Sequence, residues 1–218
     1  MEKSIENIWK EGFLKSDALV APKINDLYNQ KSKHVIDKFK RAFKINLIVI
    51  VVFAFAMLVV TTYNKLPIIG ISWFLILIGL VVVNKKLMSS LGKIDYNKNS
   101  YEYLMSFNKW LQKQLTINRK MAGLYYPLFF LSIVVGFWYV DAEGIALGER
   151  LVGEVLYGFP DIYLVNGVPL IGIVIVLFIA GILALFGGRI YNFDVYIVYG
   201  RMFNKIEELI TDLEELRS

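Results

Sequence analysis

Cysteine is absent from the 218 residues of this chain, and histidine occurs once, at His34. Without cysteine there are no disulfides, zinc–thiolate sites, thiol nucleophiles or iron–sulfur clusters. A single imidazole has no companion for a metal site. His34 stands beside Lys33 on a basic segment, where a solvated or packed role is expected. No HExxH, GxSxG, Walker-type GxxxxGK or GxGxxG sequence occurs. Charge is also missing from four long stretches, and these are where the apolar residues collect. The apolar fraction is 56% and the mean hydropathy +0.52, values that a large soluble core or a membrane would each explain.

The distribution decides between them. Residues 45–63, 66–84, 121–140 and 168–188 are four apolar runs without one Asp, Glu, Lys, Arg or His. At about 1.5 Å of rise per residue, each is long enough to cross a hydrocarbon core of about 30 Å. Buried helices of a soluble bundle would carry a polar face every 3.6 residues, and these carry none. An ionisable group at mid-bilayer costs roughly 2.5–3.5 kcal/mol, which pumps and proton-coupled carriers accept because they need the charge. Its absence argues against both.

The lysines and arginines give an orientation. Residues 1–44 hold ten, and the link 85–120 holds eight. The link between the first two spans holds only Lys65, and residues 141–167 hold only Arg150. Basic residues in short loops stay cytoplasmic, so both termini and the middle link are expected inside. Residues 1–44 show no cleavable signal pattern, and the first span is read as an uncleaved anchor.

Outside the spans the chain reads as helix. Ile24, Leu27, Tyr28, Val35, Phe39 and Phe43 recur on one helical face, with Pro22 suited to a first helical turn. Ile5, Ile8, Trp9 and Phe13 mark a shorter amphipathic helix ahead of it, with breaks expected at Gly12 and Ala21-Pro22. Residues 85–120 predict a helical hairpin: Leu87, Leu91 and Ile94 extend span two, and turn formers occupy 95–100. Ser100 is the expected N-cap of the returning helix, whose apolar face is Leu104, Phe107, Leu111 and Leu115.

Residues 189–218 predict a C-terminal helix. In it, Tyr199, Met202, Ile206, Leu209, Leu213 and Leu216 are spaced as a coiled-coil seam, flanked by acidic residues. The seam is short for a free-standing coiled coil. Its partner is the chain's own stalk and first helix, a second copy, or a partner helix. In the second outer link, Glu149 to Tyr157 predicts a short interfacial helix, ended by Gly158 and Pro160.

Little points to chemistry. Asp141, Glu143, Glu149, Glu154 and Asp161 gather in residues 141–167, but their spacing matches no calcium loop. Lys38, Lys40, Arg41 and Lys44 lie just ahead of the first span, where lipid headgroups suffice to explain them. Nucleic acid is not expected. Ser132 with Gly136, and Ala180 with Ala184 and Gly188, are small-residue pairs that let helices approach within a chain or between copies. Trp9 and Trp110 are candidate anchors for packing or partner contact.

Several stretches carry a resemblance: Ile8-Trp9-Lys10-Glu11-Gly12-Phe13, ALVAPKINDLYNQKS from Ala18 to Ser32, Ser100 to Leu104, and YPLFFLS from Tyr126 to Ser132. Together these stretches resemble uncharacterised four-span inner-membrane proteins of Bacteroidota, over most of the chain. The resemblance implies a bacterial inner membrane and transfers no catalytic residue.

The expectation is therefore an all-α polytopic membrane protein, with four transmembrane helices extended into a cytoplasmic helical bundle. Its function is read as a non-enzymatic scaffold or regulator, embedded in the lipid bilayer and using no cofactor. A cytoplasmic protein partner would bind through Trp9, Phe13, Leu27 and Tyr28, or through the seam residues Ile206, Leu209, Leu213 and Leu216. The alternative is a homo-oligomeric channel or pore subunit with a hydrophobic gate.

Overall fold

The computed structural model describes the backbone of residues 5–92, 100–142 and 144–215, and the side chains of residues 30–92, 101–141 and 144–215. Among the described residues, helix α1 runs Ile5–Tyr63, α2 Pro67–Leu91, α3 Ser100–Trp138, α4 Leu147–Gly158 and α5 Leu170–Glu215. The fold is all-α, and α1, α2, α3 and α5 are each long and apolar enough to cross a membrane. The packing agrees with that solvent. Val52, Leu75, Phe178 and Leu185 point outward from the apolar stretches with 62%, 64%, 67% and 81% of their surface exposed. Exposed rows of this kind belong against lipid, because in water they would be an association surface. The chain is a multi-pass membrane protein.

The break expected near Gly12 or Pro22 does not occur, since α1 is one helix of 59 residues. A lone glycine costs only about 1 kcal/mol against alanine. A proline bends a helix without ending it when the turns on both sides are helix formers. Helix α3 likewise carries Pro127 inside its apolar half. Ser100, the expected cap ahead of this helix, is itself helical. The hairpin tip and Ile94 fall in residues 93–99, outside the described residues.

α1 and α2 form one antiparallel pair and α3 and α5 another, with α2 packed against α3. Glycine sets the close approach in each pair. A Cβ on Gly70 of α2 would lie 2.0 Å from Thr61 Oγ1 of α1. In the other pair, a Cβ on Gly187 of α5 would lie 2.6 Å from the Ala122 carbonyl oxygen of α3.

At one end, residues 64–66 join α1 to α2, and residues 139–169 join α3 to α5 and hold α4 and two tiny hairpins that the sequence reading did not anticipate. β1 (Asp141–Ala142) pairs antiparallel with β2 (Ile145–Ala146), and β3 (Leu164–Val165) with β4 (Val168–Pro169). Asn166 and Gly167 both take positive φ, 50° and 80°, the conformation of a two-residue Asn-Gly hairpin turn. Helix α4 packs Gly148 on the Trp138 indole, where a Cβ would stand 2.3 Å from the ring. It starts two residues earlier than expected, at Leu147, and includes Gly158.

At the opposite, lysine-rich end, all four long helices continue past their apolar stretches or begin ahead of them. Here, among the described residues, lies a cluster of buried apolar side chains: Val35, Ile36, Phe39 and Phe43 of α1, Leu91 of α2, Tyr103, Leu104, Phe107 and Leu111 of α3, and Tyr199, Ile206, Leu209 and Leu213 of α5. Helix stripes that would each expose an apolar face alone remove it from water by meeting.

Candidate functional site

The lysine-rich end is where the candidate residues converge. Phe39 is its hub. Its ring meets Phe107 edge-on at 5.5 Å, Tyr199 at 5.4 Å and Phe43 at 5.8 Å, so one side chain links α1, α3 and α5. Such aromatic pairs add about 0.5–1.5 kcal/mol beyond the area they bury. Trp110 stacks on Phe107 at 5.8 Å, and its indole N–H donates to Ser90 Oγ (2.9 Å) and to the Leu87 carbonyl (3.2 Å). Trp110 is thus a packing anchor between α3 and α2. Asn46 Nδ2 donates to the Tyr199 hydroxyl at 3.0 Å, tying the start of α1's apolar stretch to α5.

The seam finds its partner inside the chain. Ile206, Leu209 and Leu213 are 2%, 4% and 6% exposed within this cluster, and Met202 packs against it. These three residues, also expected to bind a partner, thus pack in the structure with the α1 and α3 side chains of the cluster. Leu216 lies outside the described residues. Trp9, Phe13, Leu27 and Tyr28 all belong to α1, and their side chains lie outside the described ones.

The basic residues divide. Lys38, Arg41 and Lys44 are exposed, whereas Lys40 is half-buried and pairs with Asp37 at 3.7 Å, an i,i+3 contact along α1. Lys38 borders an open groove with His34, Arg201 and Lys205.

One polar feature escaped the sequence reading. At the junction of stalk and apolar stretch, Asn84 of α2 and Asn118 of α3 exchange amide hydrogen bonds, each N–H donating to the other's carbonyl at 3.0 Å. Gln114 Nε2 adds a longer bond to Asn84 Oδ1 at 3.4 Å. The spare amide protons go to the Leu80 carbonyl (2.9 Å) and the Gln114 carbonyl (3.0 Å). Gln114 Oε1 is buried and finds no donor among the described residues. The signal was present, because Phe107, Leu111, Gln114 and Asn118 share one face of α3 at helical spacing, so polar residues interrupt a buried stripe.

Removing one partner of a buried amide pair strands the other, at about 1–3 kcal/mol, while removing both is nearly neutral. Asn118→Leu is therefore expected to lower stability by about 1–3 kcal/mol, and Asn84→Leu/Asn118→Leu to recover most of it. Denaturant titration in detergent would measure both. An additive double variant would show that the pair is not coupled.

The small-residue pairs act within the chain. Ser132 Oγ accepts the Trp73 indole N–H at 2.8 Å, and Gly136 lies against Ile69. Ala184 meets Gly123, and Gly188 meets Arg119.

Asp141 accepts a bond from the Gly144 N–H (2.7 Å), which closes the first hairpin. Among the described residues no group of three metal-ligating side chains gathers. No family model, curated protein or solved structure matches this chain.

Proposed function

We propose that this protein is a non-enzymatic membrane-anchored scaffold or regulator in a bacterial inner membrane, with both termini cytoplasmic. The lysine-rich bundle would then be its cytoplasmic part, and α1 would engage a cytoplasmic partner protein. The observation that carries this reading is the division of labour among the apolar stripes. The stripes of α3 and of the C-terminal seam are buried within the chain, and the candidate contact is assigned to the apolar residues Trp9, Phe13, Leu27 and Tyr28 of α1 on their sequence pattern. The charge-free apolar stretches support a role as anchor over one as carrier. The small-residue pairs that a ring of copies would use are engaged inside the chain, so no observation favours the channel reading.

Full-length protein isolated in detergent at native expression is expected to bring down one cytoplasmic protein in stoichiometric amount. Buried aromatic anchors dominate such contacts, so Trp9→Ala/Phe13→Ala/Leu27→Ala/Tyr28→Ala should cut recovery by about tenfold or more. Recovery of no stoichiometric partner, or equal recovery with the quadruple variant, would sink the reading.

A further inference from the structure

Arg119 and Lys120 are the last charged residues before the apolar stretch of α3, and Arg189 is the first after that of α5. The antiparallel packing brings these three cations to the rim of one open groove of about 620 Å³ between the two helices. All three side chains are exposed. No ion pair is found for any of them among the described residues. Asp194, a carboxylate of the same stretch of α5, accepts a hydrogen bond from the Tyr126 hydroxyl instead.

Two of the cations are held in place by their surroundings. Gly188 lacks a side chain where Arg119 crosses α5. A Cβ there would meet Arg119 Cγ at 2.9 Å and Nε at 3.3 Å, so the glycine is what lets the arginine lie against the neighbouring helix. The Arg189 guanidinium sits 5.0 Å over the Phe186 ring, a cation–π contact that orients it without neutralising it. Toward the apolar stretches, the surface beside the groove is hydrocarbon: Leu185 is 81% exposed and Leu124 64%.

Three unpaired cations repel one another, and an anion between them removes that repulsion. Guanidinium forks match the oxygens of a phosphate, which they bind with paired, charge-assisted hydrogen bonds. The groove also lies where charged residues give way to an exposed apolar surface, the level at which a phospholipid changes from headgroup to acyl chain. Basic pockets between membrane helices are suited to such headgroups. We propose that the α3–α5 groove is a binding site for an anionic phospholipid, with its phosphate between Arg119, Lys120 and Arg189 and its acyl chains along Leu124 and Leu185. The site differs from the basic run Lys38 to Lys44 of α1, in which Lys38 borders a separate groove with Arg201 and Lys205 while Arg41 and Lys44 are exposed.

The test titrates the purified full-length protein, in a zwitterionic detergent, with phosphatidylglycerol, phosphatidylcholine or soluble glycerol 3-phosphate. Bound lipid is read by native mass spectrometry. One phosphatidylglycerol is expected to remain bound where phosphatidylcholine does not. Arg119→Gln/Arg189→Gln should weaken it by about tenfold or more, at roughly fivefold per charge. Arg41→Gln/Lys44→Gln removes the same charge from α1 and should change it by less than about twofold. If the arginine double variant aggregates, the exposed Lys120→Gln carries the test, with about a fivefold loss expected. Equal retention of the two lipids, or equal loss in the α1 variant, would overturn the proposal. Binding of glycerol 3-phosphate as tight as that of the lipid would overturn it as well, by assigning the groove to a free phosphate.

Discussion

Phe107→Ala is expected to destabilise the bundle at the lysine-rich end by about 3–5 kcal/mol, among the largest effects of any single truncation in this chain. Phe107 is 0% exposed, meets Phe39 edge-on and stacks on Trp110. Removing the ring leaves a void bounded by α1 and α3, and Phe39 also loses the neighbour that holds it against Tyr199. Such a cavity costs the lost transfer energy plus the contacts its walls cannot remake. Phe107→Leu keeps most of the volume and should cost less than about 1.5 kcal/mol. The measurement is the shift in denaturation midpoint in detergent, followed by tryptophan fluorescence, since Trp110 lies on the affected ring. A loss below about 1 kcal/mol for Phe107→Ala would show that these helices do not share a packed core.

The second large effect is expected at Gly187. A Cβ there would stand 2.6 Å from the Ala122 carbonyl oxygen, 2.9 Å from its carbonyl carbon and 3.0 Å from the Gly123 nitrogen. All three atoms are backbone, so no rotamer change relieves the clash and α3 and α5 must separate. Gly123 faces the same seam from the other side, where a Cβ would meet the Ala184 carbonyl oxygen at 2.9 Å. Overpacking costs about 1–3 kcal/mol even where side chains can give. Gly187→Leu is expected at or above the top of that range. Gly181→Ala on the same helix meets nothing within 4 Å, and its effect should stay within about 0.5 kcal/mol. Thermal unfolding of the two variants side by side separates a helix-contact effect from a general loss of glycine. Similar shifts in both would refute the close-approach argument.

The parts of the fold readable from the sequence follow from one-dimensional signals. Four uncharged apolar runs identify the spanning helices, because hydrocarbon excludes charge whatever the neighbouring helix is. The spacing of Ile206, Leu209 and Leu213 identifies a buried stripe, because helical geometry places residues three and four apart on one face. That spacing names a face but no partner, and own-chain packing, a second copy and a foreign helix remained open. The hairpin at Asn166-Gly167 was legible in principle, as an Asn-Gly pair between short apolar segments. It was hidden inside a link read only for its helix.

What the sequence determined by itself is the solvent of each segment and the direction each stripe faces. Both depend on residue type and spacing alone. The tertiary structure decided which stripes meet. It closed the seam on Phe39 of the same chain at Tyr199, and paired Asn84 with Asn118 across 34 positions. It also carried Arg119 and Arg189, separated by 70 positions, to the rim of one groove. These outcomes depend on where antiparallel helices cross, and for α3 and α5 glycines 123, 187 and 188 set that by letting the two helices approach closely. A glycine's use as a contact is invisible until its neighbour is known. The two arginines looked like ordinary ends of apolar stretches, and only the crossing of α3 and α5 brings them together.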